Sequence, residues 1–273
     1  MEPFILFTFK SSVCLSAGYL LYFLLFRNET LFRVRRFILL AVVFLSLVIP
    51  LVKLQVDPAG VSLPVQRLEA AFETPAPVIA SATRPFPTAG IQPMSNRPGI
   101  ITILYLAGAV LQLLLISFSL LRVILLLWNS KRLSYRGYRL VLVSSDLVPF
   151  CFGRRIFLSE NDFRDHSREV ILHEQAHLDQ MHSLDLFIAG LYVVMTWYNP
   201  ISWLMRRELK QNHEFEADRK VLSKGVDESD YQLLLVRRVA GETRFQLASQ
   251  FNYSNIKTRI AMMNKTKSNP AAT

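Results

Sequence analysis

Residues 100–121 read IITILYLAGAVLQLLLISFSLL, twenty-two residues without a charge, ended by Arg122. At about 1.5 Å per residue, a helix over this run is long enough to cross the hydrocarbon core of a bilayer. The run places the chain among membrane proteins, and composition agrees. Apolar residues make up 51% of the 273 and charged residues 19%, against about 45–50% and about 25% in soluble domains. Both values exclude a disordered chain.

Two more apolar runs lie upstream. Phe4 to Phe26 is broken only by Lys10, which sits near the start and can snorkel to the interface. A cleaved signal peptide fits poorly, because the run is long, no basic segment precedes it, and the basic cluster follows it. Phe37 to Val52 is flanked by Arg35, Arg36 and Lys53, whose side chains extend a slightly short span. Three transmembrane helices are expected. Arg27, Arg33, Arg35 and Arg36 crowd the first link, and Lys131, Arg132, Arg136 and Arg139 crowd the segment after the third span. The positive-inside rule then puts both in the cytoplasm. The intervening link, residues 56–99, holds eight of the thirteen prolines. It is expected to lie outside as an extended spacer.

The net charge of +10 on a soluble protein would point to nucleic acid. Here the basic residues are largely accounted for by the links, and no direct nucleic-acid partner is expected. Cys14 and Cys151 lie far apart in apolar settings. They imply neither a disulfide framework nor a four-cysteine zinc site, and Cys151 reads as a small buried apolar residue.

After residue 129 the texture changes. Tyr138 to Ser144 alternates and reads as a strand. Pro149 and Gly153 precede a second strand, Arg154 to Leu158, so a small β-hairpin is expected. Asn161 to His182 opens with helix-starting residues and contains no Pro or Gly. On a helix, His173 and His177 stand one turn apart on one face, where two imidazoles can grip one zinc ion. Glu174 lies beside them, placed to deprotonate a metal-activated water. This is H-E-x-x-H. A third ligand is expected downstream. The apolar stretch Leu184 to Trp197 is too short for a straight span and reads as a core or half-embedded helix that links the two zinc helices at the membrane surface. Pro200 then opens a helix running to about Leu222, with Glu214 and Asp218 one turn apart. One of those carboxylates can ligate the metal while the other hydrogen-bonds a ligand imidazole. Glu216 points elsewhere. An exposed acidic face balancing Arg206, Arg207 and Lys210 is the plainer alternative. Tyr231 to Ala240, opened by Asp227 or Ser229, reads as a helix packed on the zinc helices. Trp128, Trp197, Tyr198 and Trp203 suit an interfacial belt, the last three equally a core. His213 reads as a helix-surface histidine, and His166 and His182 as structural or solvent-facing.

These residues carry a resemblance. Val148-Pro149-Phe150 to Phe157, His173-Glu174-Gln175-Ala176-His177, His182-Ser183-Leu184-Asp185, Trp197-Tyr198-Asn199-Pro200 and His213-Glu214-Phe215-Glu216-Ala217-Asp218 resemble membrane-embedded gluzincins of the BlaR/MecR antirepressor, or β-lactam sensor-transducer, family. The tail Asn255 to Met263 is similar to that family's juxtamembrane helix. The H-E-x-x-H and E-x-x-A-D pair is also similar to membrane prenyl-protein and HtpX-like quality-control proteases, which have a different span plan. The resemblance implies His173, His177 and Glu214 as zinc ligands, Glu174 as general base and Asp218 as a partner behind a ligand. It departs at the C-terminus. The family's transducers continue into a fourth span and an outer sensor. Here Asn264 to Pro270 brings no further apolar run and no penicillin-binding module follows, so a fragment or a separate sensor subunit is expected.

The sequence therefore predicts a mainly α membrane protein with a cytoplasmic α+β zinc-peptidase domain. Residues 1–55 form a transmembrane hairpin, 56–99 the Pro-rich linker, 100–128 the third span and 129–273 the peptidase. The expected setting is the bacterial inner membrane, with the lipid bilayer and a protein substrate such as a transcriptional repressor, or the chain itself, as partners. A quality-control protease and a non-enzymatic, zinc-stabilised scaffold are the alternative functions.

Overall fold

The computed structural model describes residues 2–52, 99–128, 130–135, 137–144, 147–165, 167–241 and 246–266. The proline-rich link, expected to be extended, lies outside the described residues except for Gly99, and so does His166.

Three helices are long and apolar enough to cross a membrane. They are α1 (Glu2–Leu25), α2 (Phe32–Val48, continued by a 3-10 turn over Ile49–Leu51) and α3 (Ile100–Trp128). Pro50 ends α2 because it offers no N–H to the preceding turn. α3 outruns the expected Leu121, since nothing up to Trp128 breaks it. None of its residues is buried in the described fold, as suits a helix whose surface faces lipid. The short link makes α1 and α2 a packed pair. The buried Arg35 guanidinium donates to the Tyr22 hydroxyl (3.1 and 3.0 Å) and to the Glu29 carbonyl (3.2 Å), and lies 3.9 Å from Glu208. A buried charge persists only with such partners.

A four-stranded sheet follows, β1 (Lys131–Tyr135), β2 (Tyr138–Val143), β3 (Phe150–Phe152) and β4 (Arg155–Ser159), in the order β1-β2-β4-β3. β1 and β2 form one antiparallel hairpin, β3 and β4 another. The two strands read from sequence, β2 and β4, are neighbours but parallel. β3 occupies the far side of β4, so the chain enters β4 from the opposite end. Gly153, at φ 61°, opens the two-residue turn between β3 and β4, a left-handed position that glycine fills without strain. β1 lies in the basic segment, which was read only as a link. It is an exposed edge, and its lysine and arginine blunt it against further pairing.

The remaining helices are α4 (Glu160–Asp165), α5 (Ser167–Asp179), α6 (His182–Met195), α7 (Pro200–Leu222), α8 (Glu228–Gly241) and α9 (Gln246–Met263). Met181, at φ 57°, makes the turn from α5 into α6. The Asn199 side chain caps α7 by accepting from Ile201 N at 2.9 Å, with Pro200 in the first turn. Asp227 Oδ1 accepts from Asp230 N at 3.0 Å at the start of α8.

Two apolar cores result. One joins Leu140, Ile156 and Leu158 of the sheet to Ile171, Leu234 and Ile256. The other joins Leu15 and Tyr22 of α1, Leu39 of α2, Tyr192 of α6 and Leu209 of α7. α7 contributes Val221 to the first and Met205 and Leu209 to the second, so its middle crosses the seam.

α6 is a core helix, with Ala189 and Tyr192 buried against α1, α2 and α7, rather than one lying at the membrane surface. It runs alongside α2: Asp185 meets Arg36 at 2.6 Å, and Tyr192 OH meets Ser46 Oγ and Ser11 Oγ, each at 3.0 Å. Arg36 to Ser46 is about 15 Å of helix. The α6–α7 corner reaches α3, where Tyr105 OH donates to Met195 O (2.8 Å) and Trp197 Nε1 donates to Tyr105 O (3.2 Å). Polar partners on α1, α2 and α3 satisfy groups that would otherwise hold α6 at a water interface. Trp197 packs on Gly108, where a Cβ would stand 2.2 Å from its ring.

Candidate metal centre

α5 and α7 cross at the seam between the cores and bring three donors together. His173 and His177 extend from one face of α5, with Nε2 atoms 3.1 Å apart. Glu214 of α7 faces them, at 3.4 Å from His173 Nε2 and 3.8 Å from His177 Nε2. All three donor atoms lie within 4.8 Å of one another. Two nitrogens on one tetrahedral zinc stand roughly 3.3 Å apart, so the pair is already at ligand spacing. Two imidazoles and a carboxylate with room for water are a donor set suited to a catalytic zinc.

Both imidazoles are held from behind. Tyr231 OH donates to Asp218 Oδ1 (2.9 Å), and its oxygen lies 2.9 Å from His173 Nδ1. Asp218 Oδ1 is 3.3 Å from the same nitrogen. His173 Nδ1–H therefore has acceptors, which leaves Nε2 facing the metal position. His177 Nδ1 lies 2.7 Å from His182 Nδ1. With His177 as donor there, His182 Nε2–H faces Glu216 Oε2 at 3.4 Å. Arg259 of α9 grips Asp218 through two nitrogens (2.8 and 2.5 Å) and stands 3.2 Å from Glu214 Oε2, a fork matched to a carboxylate.

These contacts set the charges. Burial opposes ionisation of Glu214 and Asp218, but Arg259 and then His173 outweigh it and hold both below the ordinary carboxylate value. Burial pushes His173 down, yet its hydrogen bonds to Asp218 and Glu214 carry it up to about 9. Burial and the neighbouring His173 push His177 down to about 3. Glu174, 6% exposed, is pushed up to about 7, chiefly by burial. Burial lifts the Cys151 thiol to about 12, so it stays protonated, as an apolar reading requires.

Glu174, His173, His177 and Glu214 all line a cavity of about 760 Å³, with Phe150 and Leu234 among its apolar walls. A cleft of that size holds a peptide segment. The donors, the adjacent carboxylate and the cleft match what the H-E-x-x-H and E-x-x-A-D spacings imply. A family model described as BlaR1 peptidase M56 matches residues 6–263.

The chain belongs to that family. It is also 30% identical over 81 residues to the Regulatory protein BlaR1 of Staphylococcus aureus, a match covering 28% of this chain and 14% of that protein. Two residues that hold this candidate site are not marked by the sequence. Tyr231 and Arg259 lie 58 and 41 positions from the groups they hold, and no local spacing ties them to the motif. His213 also departs from expectation. It is 1% exposed, bonds Asp185 Oδ2 at 2.9 Å and stacks on His182 at 4.0 Å. The acidic residues of α7 are not a solvated face: Glu208, Glu216 and Asp218 are buried, because α7 is packed on α2, α5 and α6 together. Glu216 points away from the donors, toward His182, as expected.

Proposed function

We propose that this chain is a membrane-bound zinc endopeptidase of the gluzincin type, with His173, His177 and Glu214 as ligands and Glu174 as general base. The convergence of those three donors beside Glu174 in one cleft carries the reading. Zinc, when bound, polarises the peptide carbonyl and stabilises its developing negative charge. Glu174 takes the proton of the attacking water and returns it to the leaving amine. A base raised to about 7 is poised for both steps at neutral pH. Tyr231 and Asp218 orient His173, and His182 orients His177, so neither ligand must reorganise during the reaction. Arg259 keeps Glu214 ionised.

The basic link between α1 and α2 and the basic β1 segment support a site on the cytoplasmic side of a bacterial inner membrane. Residues 1–55 and 100–128 are then the membrane anchor, 56–99 the outer link and 129–273 the peptidase. The substrate is a cytoplasmic regulator, such as a repressor, or the chain itself. The family resemblance and the regulatory title of the staphylococcal relative support this reading.

A Glu174→Gln variant tests the chemistry. It retains zinc and loses cleavage of a co-expressed regulator; full cleavage by this variant would sink the enzymatic reading. A thiol placed in the residue 27–31 link tests the orientation. It reacts with a membrane-impermeant maleimide only after the membrane is opened.

A further inference from the structure

A second cavity, of about 270 Å³, lies between the start of α2, the end of α7 and the end of α9. Phe32, Phe215 and Met262 form its apolar wall, and Arg219, Arg259 and Lys265 line it with cations. The carboxylate that also lines it, Asp218, has both oxygens taken by Arg259. Arg219 sits over the Phe32 ring at 4.2 Å and makes no ion pair among the described residues. Glu216, the carboxylate it feels most, is already engaged by Arg33 and His182. Among the described residues, the Lys265 amine reaches only the backbone carbonyl of Asn28. Two cations without a carboxylate partner thus share one small cavity with an apolar wall. The cavity stands at the link end of the α1–α2 pair, where Phe32 opens α2 and Arg35 lies over the Phe32 and Phe215 rings at 5.9 and 5.7 Å.

We propose that this cavity holds the phosphate headgroup of an acidic membrane lipid. A half-buried guanidinium without a counter-ion is costly, and a phosphate diester supplies the missing charge and acceptor oxygens. A basic recess between helices at a membrane edge is the setting in which acidic headgroups bind. The aromatic and methionine wall suits the glycerol and first acyl carbons, which an inorganic ion lacks. Arg259 lines this cavity and the metal cleft alike, so the headgroup would sit one guanidinium away from Glu214.

The full chain is reconstituted in nanodiscs of phosphatidylcholine with and without phosphatidylglycerol, re-extracted in mild detergent, and its retained lipid read by native mass spectrometry. Wild type retains phosphatidylglycerol, and Arg219→Gln and Lys265→Gln each lower retention about fivefold, the worth of one basic residue against an acidic surface. Arg219→Lys keeps the charge and retains the lipid, which separates charge from folding. Lys224→Gln, an exposed cation outside the cavity, changes nothing. Equal retention by the Arg219→Gln, Lys265→Gln double variant overturns the site. Equal loss from Arg219→Lys, or the same loss from Lys224→Gln, also overturns it. A further arm adds inorganic phosphate before extraction. Retention of the lipid supports a headgroup, and its replacement by the free ion at these cations overturns the lipid as occupant.

Discussion

The phenol oxygen of Tyr231 stands 2.9 Å from Nδ1 of His173 while its proton goes to Asp218. One side chain of α8 thus decides which nitrogen of an α5 histidine faces the metal position. Tyr231→Phe keeps the packing and removes the hydroxyl. Metal affinity is expected to fall about 10- to 100-fold, the usual effect of losing a group that orients a ligand. Competition against a chromophoric chelator measures it. Unchanged affinity would show that Asp218 alone orients His173.

As the proposed general base, Glu174 would set the acid limb of the pH profile. Its ordinary value of 4.5 is raised to about 7, first by burial, and the base must be ionised to accept a proton. Bound zinc would oppose the effect of burial, so peptidase activity is expected to fall as pH drops between about 7 and the ordinary 4.5. The limb should appear in kcat/KM, which reports the free enzyme. An acid limb that does not move in Glu174→Asp would mean that Glu174 is not the group being titrated.

Arg36 joins α2 to the region behind the metal site. It bonds Asp185 and the Gln180 carbonyl, each at 2.6 Å, and Asp185 also holds His213. The side chains of Arg36 and Asp185 are 15% and 7% exposed. Arg36→Leu leaves that carboxylate without its cation, at an expected cost of about 3–5 kcal/mol. Arg36→Leu combined with Asp185→Asn should recover part of the loss. Chemical unfolding of detergent-solubilised protein checks both. Additive losses would show that the pair is not coupled.

Gly108 lets α3 approach Trp197. A Cβ there falls 2.2 Å from the indole, so Gly108→Ala must displace a ring, at about 1–3 kcal/mol. The same change in a Trp197→Ala background should be nearly neutral. Thermal unfolding of the four proteins reads the difference, and an equal cost in both backgrounds would remove Trp197 as the obstacle.

The metal donors were legible because they are local. His173 and His177 share one helical face by spacing alone, and Glu214 and Asp218 share another. The spans were legible because length and apolarity state them directly. Other features depend on packing between distant segments. The parallel β2–β4 pairing follows from where β3 docks. His213 looked exposed because a single helix cannot reveal that three neighbours cover it.

Sequence by itself determined the membrane class, the H-E-x-x-H donors, the downstream carboxylates and the proline that opens α7. Each is a property of one run of residues, set by helix period, hydrophobic length or terminal hydrogen bonding. Tertiary structure alone decided that α6 runs beside α2, that Tyr231 and Arg259 hold the ligands from α8 and α9, and that Arg36 reaches Asp185. Those contacts join residues up to 149 positions apart. Their partners are chosen by the need to satisfy buried polar groups once the two cores have closed.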